Sequence, residues 1–137
     1  MTMDPNAQAT VHCSIAPMLS VRSGAQAVEF YKTAFGASEL FHLEDPGGSV
    51  VSRLSIDGAE FWLSDESPEH GNFSPASLGG GTTRMILTVP DPDAMVARSL
   101  AAGAREVMPV TEGHGWRLGR VEDPYGHHWE IGHPLQA

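Results

Sequence analysis

The last part of the chain concentrates side chains that can bind metal ions or transfer protons. Between Glu122 and His133 the sequence is EDPYGHHWEIGH, which holds three histidines and two glutamates. Imidazole nitrogens and carboxylate oxygens are common protein ligands of zinc, nickel, iron and manganese. Whether these side chains converge depends on which face of a strand each one occupies. The elements that carry them must therefore be identified first.

The composition limits the classes of partner. The chain has 137 residues and a net charge of −9, with a pI near 5.0. This length is most simply one domain, with a core that needs neither disulfides nor a structural metal. Because no cluster of Lys and Arg is present, nucleic acids and anionic membranes are not expected as partners.

The expected compartment is the cytoplasm. The first ten residues, MTMDPNAQAT, lack the basic start and apolar run of a signal peptide and predict a disordered leader over residues 1–10. No stretch of about 18 apolar residues occurs, so no transmembrane helix is expected. Cys13 is the single cysteine and cannot form a disulfide within the chain.

The first half of the sequence predicts a strand, a helix and a β-hairpin. Ser23 is a candidate helix cap, Gly36 a candidate helix stop, and the pair Asp57-Gly58 a strong hairpin signal. Apolar residues alternate on both sides of that pair, as in strands. The predicted elements are a strand at 14–21, a helix at 23–37 and strands at 49–56 and 59–65.

The second half repeats the first. Residues 66–82 are rich in Gly, Pro and Ser, which predicts a linker or mobile loop without regular structure, with Gly79, Gly80 and Gly81 as a hinge. The predicted elements that follow are a strand at 84–89, a helix at 91–104, and strands at 115–122 and 127–132. The aligned pairs are 19–21 with 87–89, 36–40 with 103–107, Arg53 with Arg120, and 61–63 with 129–131.

The repeat predicts an α+β protein made of two tandem β-α-β-β-β modules. Module one spans residues 14–65 and module two spans residues 83–133, within a single domain at 11–137. A segment AVEFYKTAFGA after the first strand and a closing segment DPYGHHWEI resemble the vicinal-oxygen-chelate superfamily, especially its short PhnB-like members. That superfamily includes glyoxalase I, bleomycin-resistance proteins and extradiol dioxygenases, and the resemblance covers residues 14–133.

The resemblance implies a cup-shaped mixed sheet with helices outside, often completed by a second subunit. A homodimer with a small-molecule ligand in the cup is therefore expected. Metal-dependent members place four ligands in the cup, at positions that correspond here to Ala16, Trp62, Arg84 and Glu130. Only Glu130 can bind a metal ion, and a cation about 4 Å from the Arg84 guanidinium would meet a repulsion of about 4 kcal/mol at an effective dielectric of 20.

The favoured prediction is therefore a cup without a metal cofactor. The alternative is a relocated site for Zn, Ni, Fe or Mn, built from His128 and Glu130 with one of His12, His114 or His133. His128 and Glu130 are two residues apart on one strand, so their side chains share a face. That arrangement would make the protein a metal-dependent lyase, isomerase or dioxygenase.

Strand alternation also predicts the ligand-binding residues. It places Met18, Trp62, Arg84, His128 and Glu130 in the cup, and places the neighbouring apolar side chains in the core. Those core residues are Leu19, Val21, Phe61, Leu63, Met85, Leu87, Val89, Trp129 and Ile131.

The expected ligand is small and partly apolar or aromatic. Trp62 and Trp116 offer flat apolar area for such a molecule. Arg84 either pairs with Glu130 or holds an anionic or carbonyl oxygen. Alternation favours Arg53 facing the cup and leaves the orientation of Arg120 open.

Overall fold

The computed structural model describes residues 12–136, so the predicted leader at residues 1–10 lies outside the described residues. Module one contains β1 (Met18–Val21), α1 (Gly24–Phe35), β2 (Ser38–Glu44), β3 (Val50–Ile56) and β4 (Ala59–Asp65). Module two contains β5 (Arg84–Thr88), α3 (Pro92–Ala102), β6 (Arg105–Gly113), β7 (Trp116–Glu122) and β8 (His128–Pro134). No helix within residues 12–136 is long and apolar enough to cross a membrane.

Each module forms its own four-stranded sheet, and the two sheets have the same topology. Sheet one has the order β1-β4-β3-β2 and sheet two has the order β5-β8-β7-β6. In both, the first strand pairs in parallel with the last, and the remaining pairs are antiparallel. The predicted α+β fold of two β-α-β-β-β modules is confirmed.

The sequence pattern does not locate the strands β2 and β6, although the modular pattern requires a strand after each helix. Both lie at the edge of their sheets, and nearly all of their residues are at least partly exposed. A strand with solvent on both faces has no reason to alternate apolar and polar residues. The usual sequence signal of a strand is therefore missing from them.

Helix α1 begins one residue after the predicted cap. Among the described residues the side chain of Ser23 makes no capping hydrogen bond, and the backbone N–H of Gly24 donates instead to Asp65 Oδ1 at 2.9 Å. The carboxylate at the end of β4 thus serves as the cap for a helix distant in sequence. The helix ends as predicted at Gly36, whose φ of 70° lies in the left-handed region.

The inner faces of both sheets share one core with α1. Tyr31 on α1 lies 5.3 Å from Phe61 of sheet one and 5.5 Å from Trp129 of sheet two, measured between ring centroids. Phe61 and Trp129 are themselves 5.4 Å apart. The residues predicted to be core are buried, apart from Met85, which is partly buried against the others.

The connection between the modules is more ordered than its composition predicts. It contains one turn of 3-10 helix at Pro68–His70 and the short helix α2 (Pro75–Leu78). The Glu66 carboxylate accepts hydrogen bonds from the Ser74 backbone N–H at 2.9 Å and the Ser77 hydroxyl at 2.8 Å. These bonds, the Ser74 N–H foremost, lower the pKa of Glu66. Hydrogen bonds from nearby side chains hold this segment. It therefore lacks the hydrophobic pattern from which helices are usually predicted.

Candidate functional site

The side chains predicted to bind a ligand lie on the outer faces of the two sheets, away from the shared core. On sheet one, Met18 and Trp62 are direct neighbours across the β1–β4 pair, and Met18 is 52% exposed. On sheet two, Arg84 and Glu130 lie on the neighbouring strands β5 and β8. Alternation therefore places these side chains on the predicted face of each sheet.

The outer face of sheet one forms an aromatic platform. The Trp62 and Phe41 rings are 5.9 Å apart, and the Arg53 guanidinium lies 5.7 Å from the centre of the Trp62 ring. Arg53 in turn donates to the carboxylate of Glu60 at 2.7 Å. Its charge is thus neutralised, which leaves a flat, mainly apolar surface suited to a planar ligand.

The outer face of sheet two is a grid of charged side chains. Strand register sets one row across the sheet as Arg84, His128, Glu122 and Arg105. The adjacent row consists of Ile86, Glu130, Arg120 and Met108. Three guanidinium groups, two carboxylates and one imidazole therefore share this face, which we call the charged grid.

Arg84 and Glu130 form the ion pair that the sequence offered as one of two alternatives. The Arg84 Nε atom lies 2.6 Å from Glu130 Oε2. That oxygen is buried and accepts no well-directed hydrogen bond from the described residues. Glu130 is thus neutralised by charge while part of its hydrogen-bonding capacity is unused. Arg84 remains 58% exposed at its side chain.

His128 lies between an arginine and a glutamate. Arg120 Nε donates to His128 Nδ1 at 3.1 Å, so this ring nitrogen acts as the acceptor. In the neutral ring the proton then sits on Nε2, which lies 3.7 Å from Glu122 Oε1. Glu122 also pairs with Arg105. Both ring nitrogens of His128 are thereby directed at protein groups.

Arg120 is the residue of this face that the sequence left undecided. Within residues 12–136, no carboxylate oxygen lies within 4.0 Å of its guanidinium nitrogens, and its two terminal nitrogens have no hydrogen-bond partner. The alternation signal fails around it because Gly119, the inward-facing neighbour, has no side chain. The repeat indicates the face of Arg120 better than alternation does, since Arg120 aligns with Arg53, which is expected to face the cup.

The residues present do not fit the metal site that the resemblance implies. Of the four expected ligand positions, only Glu130 has a side chain that can coordinate a metal ion. Its carboxylate already forms an ion pair with Arg84. No group of three or more His, Cys, Asp or Glu in the described part of the chain is arranged to hold a metal ion. A cation at this position would have to displace the Arg84 guanidinium.

The relocated metal site is not assembled either. His114 lies in the β6–β7 turn with a φ of 53°, and His133 Nδ1 lies 3.0 Å from the Pro134 carbonyl oxygen. In strand register His133 lies opposite Arg117, whose side chain faces the helix layer and binds Asp93. His12 is exposed ahead of β1. None of the three histidines reaches His128 and Glu130 among the described contacts.

Trp116 and Trp62 are not close to the ion pair within one chain. Trp116 pairs with Pro134, four residues along β8 from Glu130, which corresponds to about 13 Å along a strand. Trp62 belongs to the other sheet. A cleft of about 930 Å³ lies between the hairpin region at 56–59 and β5, and its lining includes neither Trp62 nor Glu130. Within one chain the predicted ligand-binding residues therefore form two separate groups, one on each sheet.

Asp123 fixes the start of β8 and hence the position of the charged grid. It is 3% exposed and accepts from Trp129 Nε1 at 3.0 Å and from the Tyr31 hydroxyl. The backbone N–H groups of Tyr125 and His127 donate to its other oxygen, each at 2.9 Å. A turn closed by the bond from the Gly126 N–H to the Asp123 carbonyl oxygen leads into β8, and the Asp123 carboxylate also joins module two to α1 of module one.

The chain is similar in sequence and in structure to known proteins. The sequence model of the Glyoxalase/Bleomycin resistance protein/Dioxygenase superfamily matches residues 11–131. An uncharacterized protein of Mycobacterium bovis is 39% identical over 132 residues, covering 92% of this chain and 86% of the relative. The X-ray structure of a gene product from Arabidopsis thaliana matches with a TM-score of 0.70 and 35% identity, over 88% of this chain and 98% of that chain.

A more distant structure extends the comparison of folds. FosX, a fosfomycin resistance protein from Listeria monocytogenes, matches with a TM-score of 0.68 and 15% identity, over 92% of this chain and 95% of that chain. At this identity the likeness shows a shared fold only. The FosX crystal structure is a complex with Mn(II) and sulfate ion, so metal binding occurs on this fold.

Proposed function

Because this chain belongs to the Glyoxalase/Bleomycin resistance protein/Dioxygenase superfamily, we propose that it binds a small, partly apolar or aromatic molecule as a homodimer, without the superfamily's metal site. Each cup would combine sheet one of one copy with sheet two of the other. A two-fold axis generates both cups at once, since each copy supplies one half to each.

The observation that carries this proposal is that the inner faces of both sheets pack into one core. Phe61 of sheet one and Trp129 of sheet two meet beneath Tyr31, so the outer faces of one chain are separated by that core. A cup closed by both outer faces therefore needs a second copy. Exposed apolar side chains on or beside these faces support this, since soluble monomers rarely expose large apolar patches. They are Met18, Leu40, Phe41, Leu43, Ile86, Val107 and Met108.

The chemistry of the two half-sites is complementary. Sheet one offers the Trp62 and Phe41 rings for stacking. Sheet two offers the apolar side chain of Ile86 on the same face as the guanidinium groups of Arg84 and Arg120. A ligand with a flat apolar part and a polar end would contact both halves.

Subunit complementation tests the shared cup. We expect the protein to sediment as a dimer and to bind 1-naphthamide, with about a tenfold loss of affinity in Trp62→Ala, because a stacked ring and its buried area are removed. Ile86→Asp, which places a charge among the apolar contacts, should weaken binding similarly. Refolding the two variants together should restore wild-type affinity to about a quarter of the cups, since half of the random dimers would contain one cup with neither change.

The controls for complementation are the separate variants, refolded alone and checked for the dimer by sedimentation. If both half-sites of a cup came from one chain, every cup in the mixture would carry one change. A mixture without any wild-type cups, or a protein that sediments as a monomer, would therefore refute the shared cup.

A second prediction concerns metal ions. After equilibrium dialysis against Zn, Ni, Fe or Mn, elemental analysis should find much less than one ion per chain, and Glu130→Ala should not change that amount. The reason is that the Glu130 carboxylate is paired with Arg84 at 2.6 Å. A stoichiometric ion that is lost in both Glu130→Ala and His128→Ala would instead establish the relocated site and favour a metal-dependent lyase, isomerase or dioxygenase.

A further inference from the structure

We infer that the ligand carries an oxyanion, as in a small aromatic carboxylate, and that Arg120 is the residue that binds this group. The inference rests on the proposed cup and specifies the chemistry of its ligand. It depends on the difference between Arg120 and the other arginines of the two outer faces.

Each of the other arginines on these faces has a carboxylate partner. Arg84 pairs with Glu130, Arg105 with Glu122, and Arg53 with Glu60. Arg120 donates through Nε to a neutral imidazole nitrogen of His128. Its positive charge therefore has no compensating carboxylate within 4.0 Å among residues 12–136.

The terminal nitrogens of Arg120 are available to a ligand. Nε is held by His128, and this bond fixes the plane of the guanidinium. The two terminal nitrogens have no hydrogen-bond partner in the described structure, and Arg120 is only partly buried. Two parallel N–H groups match the two oxygens of a carboxylate, so a bidentate contact requires no rearrangement of the protein.

The surrounding charges favour an anion at this position. With His128 neutral, three arginines and two glutamates leave the charged grid one positive charge in excess, although the whole chain carries −9. The carboxylate of Glu130 opposes an anion here, since it lies across from Arg120 in strand register. Arg84 neutralises this carboxylate at 2.6 Å, which reduces its repulsion of an incoming anion.

The neighbours of Arg120 indicate what the oxyanion is attached to. In its row, Met108 lies next to Arg120 and Ile86 lies beyond Glu130. Both apolar side chains are exposed, Met108 by 38% and Ile86 by 68%. An apolar ring joined to a carboxylate could contact these side chains and the Trp62 ring of the second copy, while its carboxylate binds Arg120.

The test compares 1-naphthoate with its neutral analogue 1-naphthamide, by calorimetric titration of the dimer. We expect the carboxylate to bind at least about tenfold more tightly, and Arg120→Gln to remove this preference while naphthamide affinity changes less than about twofold. In NMR spectra the Nε–H resonance of Arg120 should move with naphthoate and not with naphthamide.

Arg117→Gln is the matched control. Arg117 is on the same strand, but faces the helix layer and pairs with Asp93. This variant loses the same formal charge and should keep the preference for naphthoate. If it loses the preference to the same degree as Arg120→Gln, a general charge effect is responsible and the inference is refuted.

The outcomes separate this inference from the proposed function. If naphthamide binds and naphthoate binds no better, Arg120 is not an oxyanion site, while the proposed cup stands. If neither compound binds to the dimer, both proposals fail for aromatic ligands. If naphthoate is preferred and Arg120→Gln keeps that preference, another group binds the oxyanion.

Discussion

Asp123→Ala should lower the free energy of unfolding by about 4 kcal/mol or more, because it removes a buried acceptor shared by four donors. Two of these donors are the Tyr31 hydroxyl and the Trp129 indole N–H, and two are backbone N–H groups at Tyr125 and His127. Each donor left buried without a partner costs about 1 to 3 kcal/mol. Since the acceptor connects α1 to β8, the loss should destabilise both modules together.

Urea unfolding of a graded series checks this expectation. Asp123→Asn keeps one carbonyl oxygen and should cost about 2 to 3 kcal/mol, and Tyr31→Phe removes only one donor and should cost about 1 to 2 kcal/mol. The control is Asp93→Ala, which breaks an exposed ion pair with Arg117 and should cost much less than either Asp123 variant. Equal midpoints for Asp123→Asn and Asp93→Ala would contradict the role assigned to Asp123. The graded series remains informative even if Asp123→Ala does not fold.

The hydrogen bond between Tyr31 and Asp123 should also affect how the stability of the protein depends on pH. Burial, and then the neighbouring Asp123 carboxylate, raise the pKa of Tyr31 well above its usual value of 10.0. Above about pH 10 the unfolded chain releases the phenol proton while the folded chain keeps it. The folded state then binds more protons, so stability falls as the pH rises further. This fall should be shallower in Tyr31→Phe, which has no phenol to titrate.

The strand faces could be predicted from the sequence because alternation is a local property. Leu19, Val21, Phe61 and Leu63 face the core, and each lies beside a residue that faces outward. Duplication strengthened the prediction, since the same alternation recurs in module two. For these elements a short stretch of sequence contains most of the information that determines the structure.

The relation between the two half-sites could not be predicted in this way. Trp62 and Glu130 occupy equivalent positions of the repeat, yet their separation depends on how the modules pack against each other. That packing depends on Tyr31 and Asp123, which meet across 92 positions of the sequence. The absence of a carboxylate partner for Arg120 among residues 12–136 is likewise a tertiary property, because it depends on which arginines lie next to a carboxylate.

Gly132→Ala is expected to destabilise the protein by about 3 kcal/mol, because the added methyl group has no space. A Cβ atom at this position would lie 2.3 Å from the Arg117 carbonyl oxygen and 2.7 Å from Leu118 Cδ1. The first contact is with backbone of β7, which is held by its pairing with β8. Relief would require the two strands to separate at the pair formed by Leu118 and Gly132.

Two further glycines of the same sheet provide the comparison. At Gly113 an added Cβ meets no atom of residues 12–136 within 4 Å, so alanine should be neutral or slightly stabilising. At Gly119 it would lie 2.8 Å from a methyl group of Val110, which can partly move, so an intermediate loss is expected. Thermal or urea unfolding should rank the variants in that order. A Gly132→Ala protein as stable as Gly113→Ala would show that β7 and β8 can separate at low cost.

The position of Gly132 links this packing to the proposed ligand site. It is two residues from Glu130 on β8, and the facing strand carries Arg120 two residues from Leu118. Strands forced apart at Gly132 should therefore change the spacing of Glu130 and Arg120. We expect Gly132→Ala to weaken 1-naphthoate binding at temperatures where the variant is still folded, and Gly113→Ala to leave it unchanged. If the charged grid binds the ligand, stability and affinity should fall together in the first variant, because the same strand pair supports both.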